Sequence, residues 1–189
     1  MKIHADAFKR AKKIKLIIFD VDGVLTDGGI YLSGAGEVFK PFHCRDGLGI
    51  ALAHTVGLKT AIITGRESEC TARRAKELNI SIVLQGHMNK RGAYRELKEM
   101  TGLKDEEIAY VADDVIDLPV FVQVGFRAAV GNASEDVKER AHYVANEVGG
   151  NGAVREVIEF ILKSQNLWAE IIERYTTVDN DDQTIYFSH

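Results

Sequence analysis

Short, continuous apolar runs alternate with stretches of helical period along most of this chain. Residues 15–19 (Lys-Leu-Ile-Ile-Phe) are continuous, partly β-branched and closed by Asp and Gly, the pattern of a fully buried strand. Residues 58–63, 80–84, 108–112 and 126–130 repeat it. Between the runs, Leu48, Ala51, Leu52 and Val56 fall along one helical face, and Gly57 suits the left-handed residue that ends a helix. Ser68 is placed to cap a helix running to about Leu78, and another helix is predicted over residues 90–100. Strand and helix in alternation predict an α/β fold, a doubly wound, Rossmann-like parallel sheet with helices on both faces. Right-handed crossovers then set every strand-to-helix turn along one edge, and ligands bind at the carboxyl ends of the strands.

Three stretches depart from this rhythm. Residues 28–40 have two β-like halves around Ser33-Gly34-Ala35-Gly36, which predicts a projecting hairpin over about 28–42 beside the ligand edge. Residues 151–174 read as one helical stretch with Val154, Val157, Ile158, Ile161 and Leu162 on its apolar stripe. Residues 176–189 carry Asp179, Asn180, Asp181 and Asp182 and read as a polar tail. The expected organisation is a single core domain over residues 1–175 followed by that tail.

Composition narrows the function classes. At 189 residues, 46% hydrophobic and 28% charged, the chain has the make-up of one globular domain with a well-buried core. A net charge of -4 argues against a nucleic-acid footprint, which needs a concentrated basic face. The one basic cluster, Lys9, Arg10, Lys12, Lys13 and Lys15, reads as a solvated amphipathic helix. The apolar run after it, Leu16 to Phe19, is far too short for a signal-peptide core or a membrane span, so no membrane association is expected. Cys44 and Cys70 fit neither a disulfide framework nor a familiar metal-cluster spacing, which points to a reducing cytoplasm.

The chemistry-bearing residues sit where the strands end. The first strand leads into Asp20-Val21-Asp22-Gly23-Val24. A lone Asp after a strand usually makes an Asx-turn or a cap, which accounts for one carboxylate better than for two. The second strand leads into Thr64-Gly65-Arg66 before a helix N-terminus; alone this is an ordinary turn, but its hydroxyl and free N–H groups suit a phosphate. Asp113-Asp114, with Asp117 one turn on, would also serve as a helix cap, and Lys90 by itself reads as a solvated lysine. Taken together, acidic residues from two strands suit a hard divalent cation held through oxygen, for which magnesium is the natural choice. Thr64 and Lys90 are then left for a dianionic phosphate. A carboxylate attacks such a dianion only after cations neutralise its approach.

Phe19-Asp20-Val21-Asp22-Gly23-Val24-Leu25-Thr26, then Thr64, then Lys90, then Asp113-Asp114-Val115-Ile116-Asp117 resemble, in order, the four motifs of the haloacid dehalogenase superfamily of phosphatases. The resemblance spans about residues 15–162. It implies an enzyme in which Asp20 attacks phosphorus, Asp22 serves as general acid and then general base, and Thr64 and Lys90 hold the phosphoryl oxygens. It also implies Mg2+ bound by Asp20, the Asp22 main-chain carbonyl and Asp113, with Asp114 and Asp117 in or near the outer shell. One position departs from the pattern: the superfamily usually has glycine before the fourth-motif aspartate, and this chain has Ala112.

The intervals from Asp22 to Thr64 and from Thr64 to Lys90 leave no room for a cap domain. Asp27-Gly28-Gly29, Arg45-Asp46-Gly47-Leu48-Gly49-Ile50, Thr64-Gly65-Arg66, Gln85-Gly86 and the run Gly149 to Glu156 resemble the uncapped 3-deoxy-D-manno-octulosonate 8-phosphate phosphatase subfamily. That resemblance implies a homotetramer in which hairpins close neighbouring sites, and a small phosphorylated acid-sugar substrate destined for lipopolysaccharide. Gly65 and the arginines Arg66 and Arg45, with Arg155 nearby, are the candidates to meet the substrate, although each arginine also fits a surface or structural ion pair. Two other readings stand beside this one. A nonulosonate 9-phosphate phosphatase would resemble this chain closely but have glutamate at the position of Arg66. A non-catalytic oligomeric binding module of the same fold would tolerate loss of Asp20 or Asp22.

Overall fold

Five parallel strands organise the chain, four largely buried and one half-buried, and all five lie where the apolar runs predict them. The computed structural model describes residues 2–34 and 36–177. Leu16–Phe19 (β2) is fully buried along its length, because its side chains meet helices on both faces of the sheet. Lys59–Ile63 (β5), Ile82–Leu84 (β6), Ile108–Ala112 (β7) and Phe126–Ala129 (β8) join it in parallel. Each Ile, Val, Leu or Phe buried this way contributes about 1.5–3 kcal/mol.

Two short strands toward one side of the sheet were not legible in the apolar pattern. Tyr143–Val144 (β9) pairs in parallel with β8, and Lys2–Ile3 (β1) closes the edge antiparallel to β9. Among the described residues the sheet order is β1-β9-β8-β7-β2-β5-β6. The chain therefore leaves β2 on one side toward β5 and returns on its other side at β7. Such a reversal opens a crevice at the carboxyl end of the central strand, so the fold itself sets the binding edge at Asp20.

The helices follow the same logic. Cys44–Thr55 (α2) ends at Gly57, whose φ of +78° is the left-handed turn expected there. Glu69–Glu77 (α3) is capped by the Ser68 hydroxyl, which accepts from the Thr71 N–H. Lys90–Thr101 (α4) packs on a short helix, Leu118–Phe121 (α5), and Glu135–Arg140 (α6) links β8 to β9. Ala7–Ala11 (α1) and α2 pack against Ala153–Ser164 (α7). No helix among the described residues is long and apolar enough to cross a membrane.

One expectation needs correction. The stretch over 151–174 is not one helix: α7 ends at Ser164, Asn166 takes a φ of +60°, and Trp168–Thr177 (α8) begins after the turn. The basic cluster near the N-terminus is solvated as expected, with Lys9, Lys12, Lys13 and Lys15 exposed and Ala7 and Ala11 of α1 turned inward, and it carries surface ion pairs. Arg10 pairs with Asp6 at 2.5 Å, while Lys13 and Lys15 reach Glu106 and Glu107 at 2.7 and 2.6 Å. The expected hairpin is present within 28–42, with strands Tyr31–Ser33 (β3) and Gly36–Phe39 (β4) paired, among the described residues, only with each other. Residues 178–189, most of the expected polar tail, lie outside the described residues. No cap domain is inserted among the described elements.

Candidate active site

Strand register brings the motif residues together. Phe19 pairs with Ile62 on β5 and with Val111 on β7, so Asp20, Thr64 and Asp113 emerge side by side just beyond the strand ends. Lys90 arrives from α4 as the first residue of that helix. Its ammonium is 1 % exposed and lies 2.6 Å from Asp20 Oδ1 and 2.5 Å from Asp117 Oδ1. The fully buried Asp117 also accepts from the Tyr110 hydroxyl at 2.9 Å and from the Asp113 main-chain N–H at 3.2 Å. Burial here demands that satisfaction, since an unpaired ammonium or carboxylate in the interior costs several kcal/mol.

Asp20, Asp113 and Asp117 each present a carboxylate oxygen within 4.8 Å of the others. Three carboxylates against the single Lys90 charge leave an excess of negative charge, and the titration of the groups reflects it. Burial, then the Asp117 charge, pushes Asp20 up to about 7 against the opposing pull of Lys90. Burial and the charges of Asp20 and Asp117 push Asp113 up to about 8. Burial alone would lower Lys90, but the two carboxylates hold it above the usual lysine range. Burial and the Asp117 charge likewise keep the Tyr110 phenol protonated, as a donor. An all-oxygen donor set carrying uncompensated negative charge is what a hard divalent cation requires.

Glycines let this cluster form. Gly23, at a φ of +97°, lies so close to Asp113 that a Cβ there would stand 2.1 Å from its Oδ2. Gly149 presses on the other side of the same loop, where a Cβ would come within 1.7 Å of the Gly23 carbonyl. The Gly150 N–H donates to Val24 O at 2.9 Å, and Asn132 Oδ1 accepts from the Gly149 N–H at 2.9 Å. Ala112 is accommodated without strain: it ends β7 in regular register with Ala129, fully buried, so its methyl fits the core.

The remaining candidates divide. Thr64 is buried beside the cluster, held by its N–H to Leu84 O and by its carbonyl from the His87 N–H. Gly65 abuts Met88, where a Cβ would meet its Sδ at 2.9 Å. Asp22 is partly exposed, with Oδ1 paired to Lys40 Nζ and Oδ2 3.9 Å from Arg66 Nε. Arg66 thus faces the site, with 43 % of its side chain open to solvent. Arg45 is exposed on the first turn of α2, and among the described residues no ion pair joins it to the carboxylates. Its neighbour Asp46 turns inward and accepts from Gly152 N at 3.1 Å and Arg155 N at 2.8 Å, capping α7. Arg155 pairs with Glu159 at 2.7 Å and stacks on Trp168. Asp114 is exposed and accepts from the Val115 N–H, capping a turn, whereas Asp117 belongs to the buried cluster.

Sequence reasoning missed Lys40, Tyr110 and Asn132. A lysine after a hairpin strand, a tyrosine inside an apolar run and an asparagine in a loop carry no local sign of what they touch.

The comparisons with known proteins agree with this geometry. A family model described as haloacid dehalogenase-like hydrolase matches residues 67–158. The 3-deoxy-D-manno-octulosonate 8-phosphate phosphatase of Escherichia coli strain K12 is 44% identical over 163 residues, covering 86% of this chain and 87% of that protein. Its counterpart from Yersinia pestis is 45% identical over 161 residues, 85% and 86% of the two chains. Among solved structures, the enzyme of that name from Moraxella catarrhalis, in complex with a magnesium ion, a phosphate ion and a KDO molecule, superposes with a TM-score of 0.88. That match is 41% identical and covers 91% of this chain and 99% of that one. The Yersinia pestis structure gives a TM-score of 0.85 at 44% identity, over 87% and 89%.

Proposed function

The chain belongs to the 3-deoxy-D-manno-octulosonate 8-phosphate phosphatase family of haloacid dehalogenase-like hydrolases, and from that premise we propose that it releases phosphate from that acid-sugar phosphate in the supply of lipopolysaccharide precursor. The observation that carries the reading is the buried Asp20–Lys90–Asp117 cluster at the sheet's binding edge, with Asp22 two residues beyond. Asp20, Asp113 and the Asp22 main-chain carbonyl would hold Mg2+, with Asp117 behind them. The ion supplies charge neutralisation for a dianionic phosphate.

The steps then follow from the chain's own residues. An Asp20 oxygen attacks phosphorus, the bond from phosphorus to the sugar oxygen breaks, and Asp22 gives its proton to that leaving oxygen. Lys90 and Thr64 hold the phosphoryl oxygens. In the second half, Asp22 takes a proton from water as the water oxygen attacks phosphorus, restoring the Asp20 carboxylate and releasing inorganic phosphate. Arg66, with Gly65 beside it, is assigned to the substrate carboxylate end, because Arg66 faces Asp22 and Arg45 has no link to the carboxylate cluster.

An uncapped site offers one protomer little surface for choosing a sugar. Ile30, Tyr31, Leu32 and Phe39 are 57 %, 37 %, 65 % and 49 % exposed on the hairpin, an apolar patch of the kind that marks an interface. We place that patch against neighbouring copies in a closed homotetramer, in a reducing cytoplasm that suits the unpaired Cys44 and Cys70.

The test is steady-state phosphate release with magnesium from octulosonate 8-phosphate against nonulosonate 9-phosphate. The expected result is a clear kcat/KM preference for the former and loss of turnover by at least about 10³-fold in folded Asp20→Asn. Equal use of both sugars overturns the substrate assignment, and an active Asp20→Asn overturns the mechanism.

A further inference from the structure

Lys40 takes no part in the reaction as described, yet its side chain is only 4 % exposed and turns into the site. It follows β4 directly, one residue after the exposed Phe39, in a connection where a lysine ordinarily extends to solvent. Burying an ammonium costs several kcal/mol unless a well-placed anion receives it. Here a receiving anion is Asp22 Oδ1, within hydrogen-bond reach. Asp22 Oδ2 faces the other way, toward Arg66 Nε at 3.9 Å, too far for a hydrogen bond.

We propose that Lys40 is a positioning residue for Asp22: from the root of the hairpin it holds Oδ1, so that Oδ2 is the oxygen left to exchange protons with the leaving group and then with water. The inference rests on the phosphatase reading and on Asp22 as its acid and base. Asp22 lies in a loop, and without an anchor its carboxylate would sample several rotamers, few of them aimed at the bridging oxygen. A lysine contributed by the hairpin's own base makes the orientation of the acid depend on how that hairpin is seated.

The experiment compares Lys40→Met, Lys40→Gln and Lys40→Arg, each alone and on an Asp22→Asn background. Single-turnover and steady-state rates are read on p-nitrophenyl phosphate, which needs little acid assistance, and on glycerol 2-phosphate, which needs much. Lys40→Met and Lys40→Gln should lower kcat on the alkyl ester by about tenfold or more, with a smaller loss on the aryl ester and KM within about threefold. Lys40→Arg should recover most of the loss. On Asp22→Asn, removing Lys40 should change the rate by less than about twofold, because the partner it acts through is gone. Three outcomes would overturn the assignment: a raised KM with kcat unchanged, losses that multiply on the Asp22→Asn background, or equal losses on both esters matched by a fall in thermal midpoint. Absence of magnesium-dependent phosphate release from the parent protein is a different result, which overturns the phosphatase reading along with this one.

Discussion

The site has two shores, and they are built differently. On one side Lys90, Asp117, Asp20 and Tyr110 are sealed in the interior and bonded to one another at 2.5–3.4 Å. On the other, Asp22, Arg66 and the hairpin face solvent, with Arg66 3.9 Å from its partner and the hairpin strands paired, among the described residues, only with each other. The sealed side holds groups whose charges must be fixed before any phosphate arrives, which is where preorganisation lowers a barrier. The open side holds groups that must admit, recognise and release a sugar. On the proposed mechanism the fixed charges thus reside in the rigid half, while the acid–base group Asp22 and the groups that meet the sugar lie in the exposed half.

The sharpest way to break that contrast is to cut the sealed half. Lys90→Met leaves buried carboxylates without their counter-charge, and such removals lower stability by about 3–5 kcal/mol. Urea unfolding should show that loss, and hydrolysis of even a generic aryl phosphate should fall by at least about 10²-fold. A stable, active Lys90→Met protein would mean that the cluster is not the rigid centre described.

A smaller effect sharpens the same point through pH. Asp20 and Asp113, pushed up to about 7 and about 8, hold protons in the folded state that the unfolded chain gives up near 3.8. The fold therefore binds more protons over that interval, and metal-free stability should fall as pH rises from about 4 to about 8. Magnesium should accordingly raise the thermal midpoint more at pH 8 than at pH 5. An equal rise at both values would show that the carboxylates do not carry the excess charge.

The smallest effect on chemistry should come from the open half. Leu32→Ser with Phe39→Ser removes apolar surface from the hairpin without touching the carboxylates. Light scattering should report a smaller assembly, and the preference between octulosonate and nonulosonate phosphates should narrow, while p-nitrophenyl phosphate turnover stays within about threefold. A tetramer with unchanged preference would detach the hairpin from selectivity.

How much of this was readable beforehand follows the same division. The strands were legible because burial on both faces writes a continuous apolar run, and three of the four motifs because each sits at the end of such a run, whereas Lys90 opens α4. Asp117 was named but placed at the periphery, since sequence spacing does not show that a helical turn tucks its carboxylate beneath Lys90. Arg45 and Arg155 were weaker candidates than Arg66 for the substrate, and nothing local showed that Asp46 beside Arg45 caps α7 or that Arg155 pairs with Glu159 and lies over Trp168. Strands β1 and β9, two residues each, were too short to carry an alternation of their own, and the turn at Asn166 depends on a backbone angle that a helical apolar stripe hides.

The contact of Gly149 and Gly150 with the Gly23–Thr26 loop has a consequence for a chain under synthesis. The ribosome delivers Asp20 and Asp22 well before Gly149 and Gly150, the backbone that braces their loop. Until then Gly23 has no wall behind it, and Asp113 has no fixed place against which to set. A nascent chain therefore carries its nucleophile early and becomes competent late, so fragments cut short by stalled translation should be unable to hydrolyse phosphate esters even where their first strands have paired.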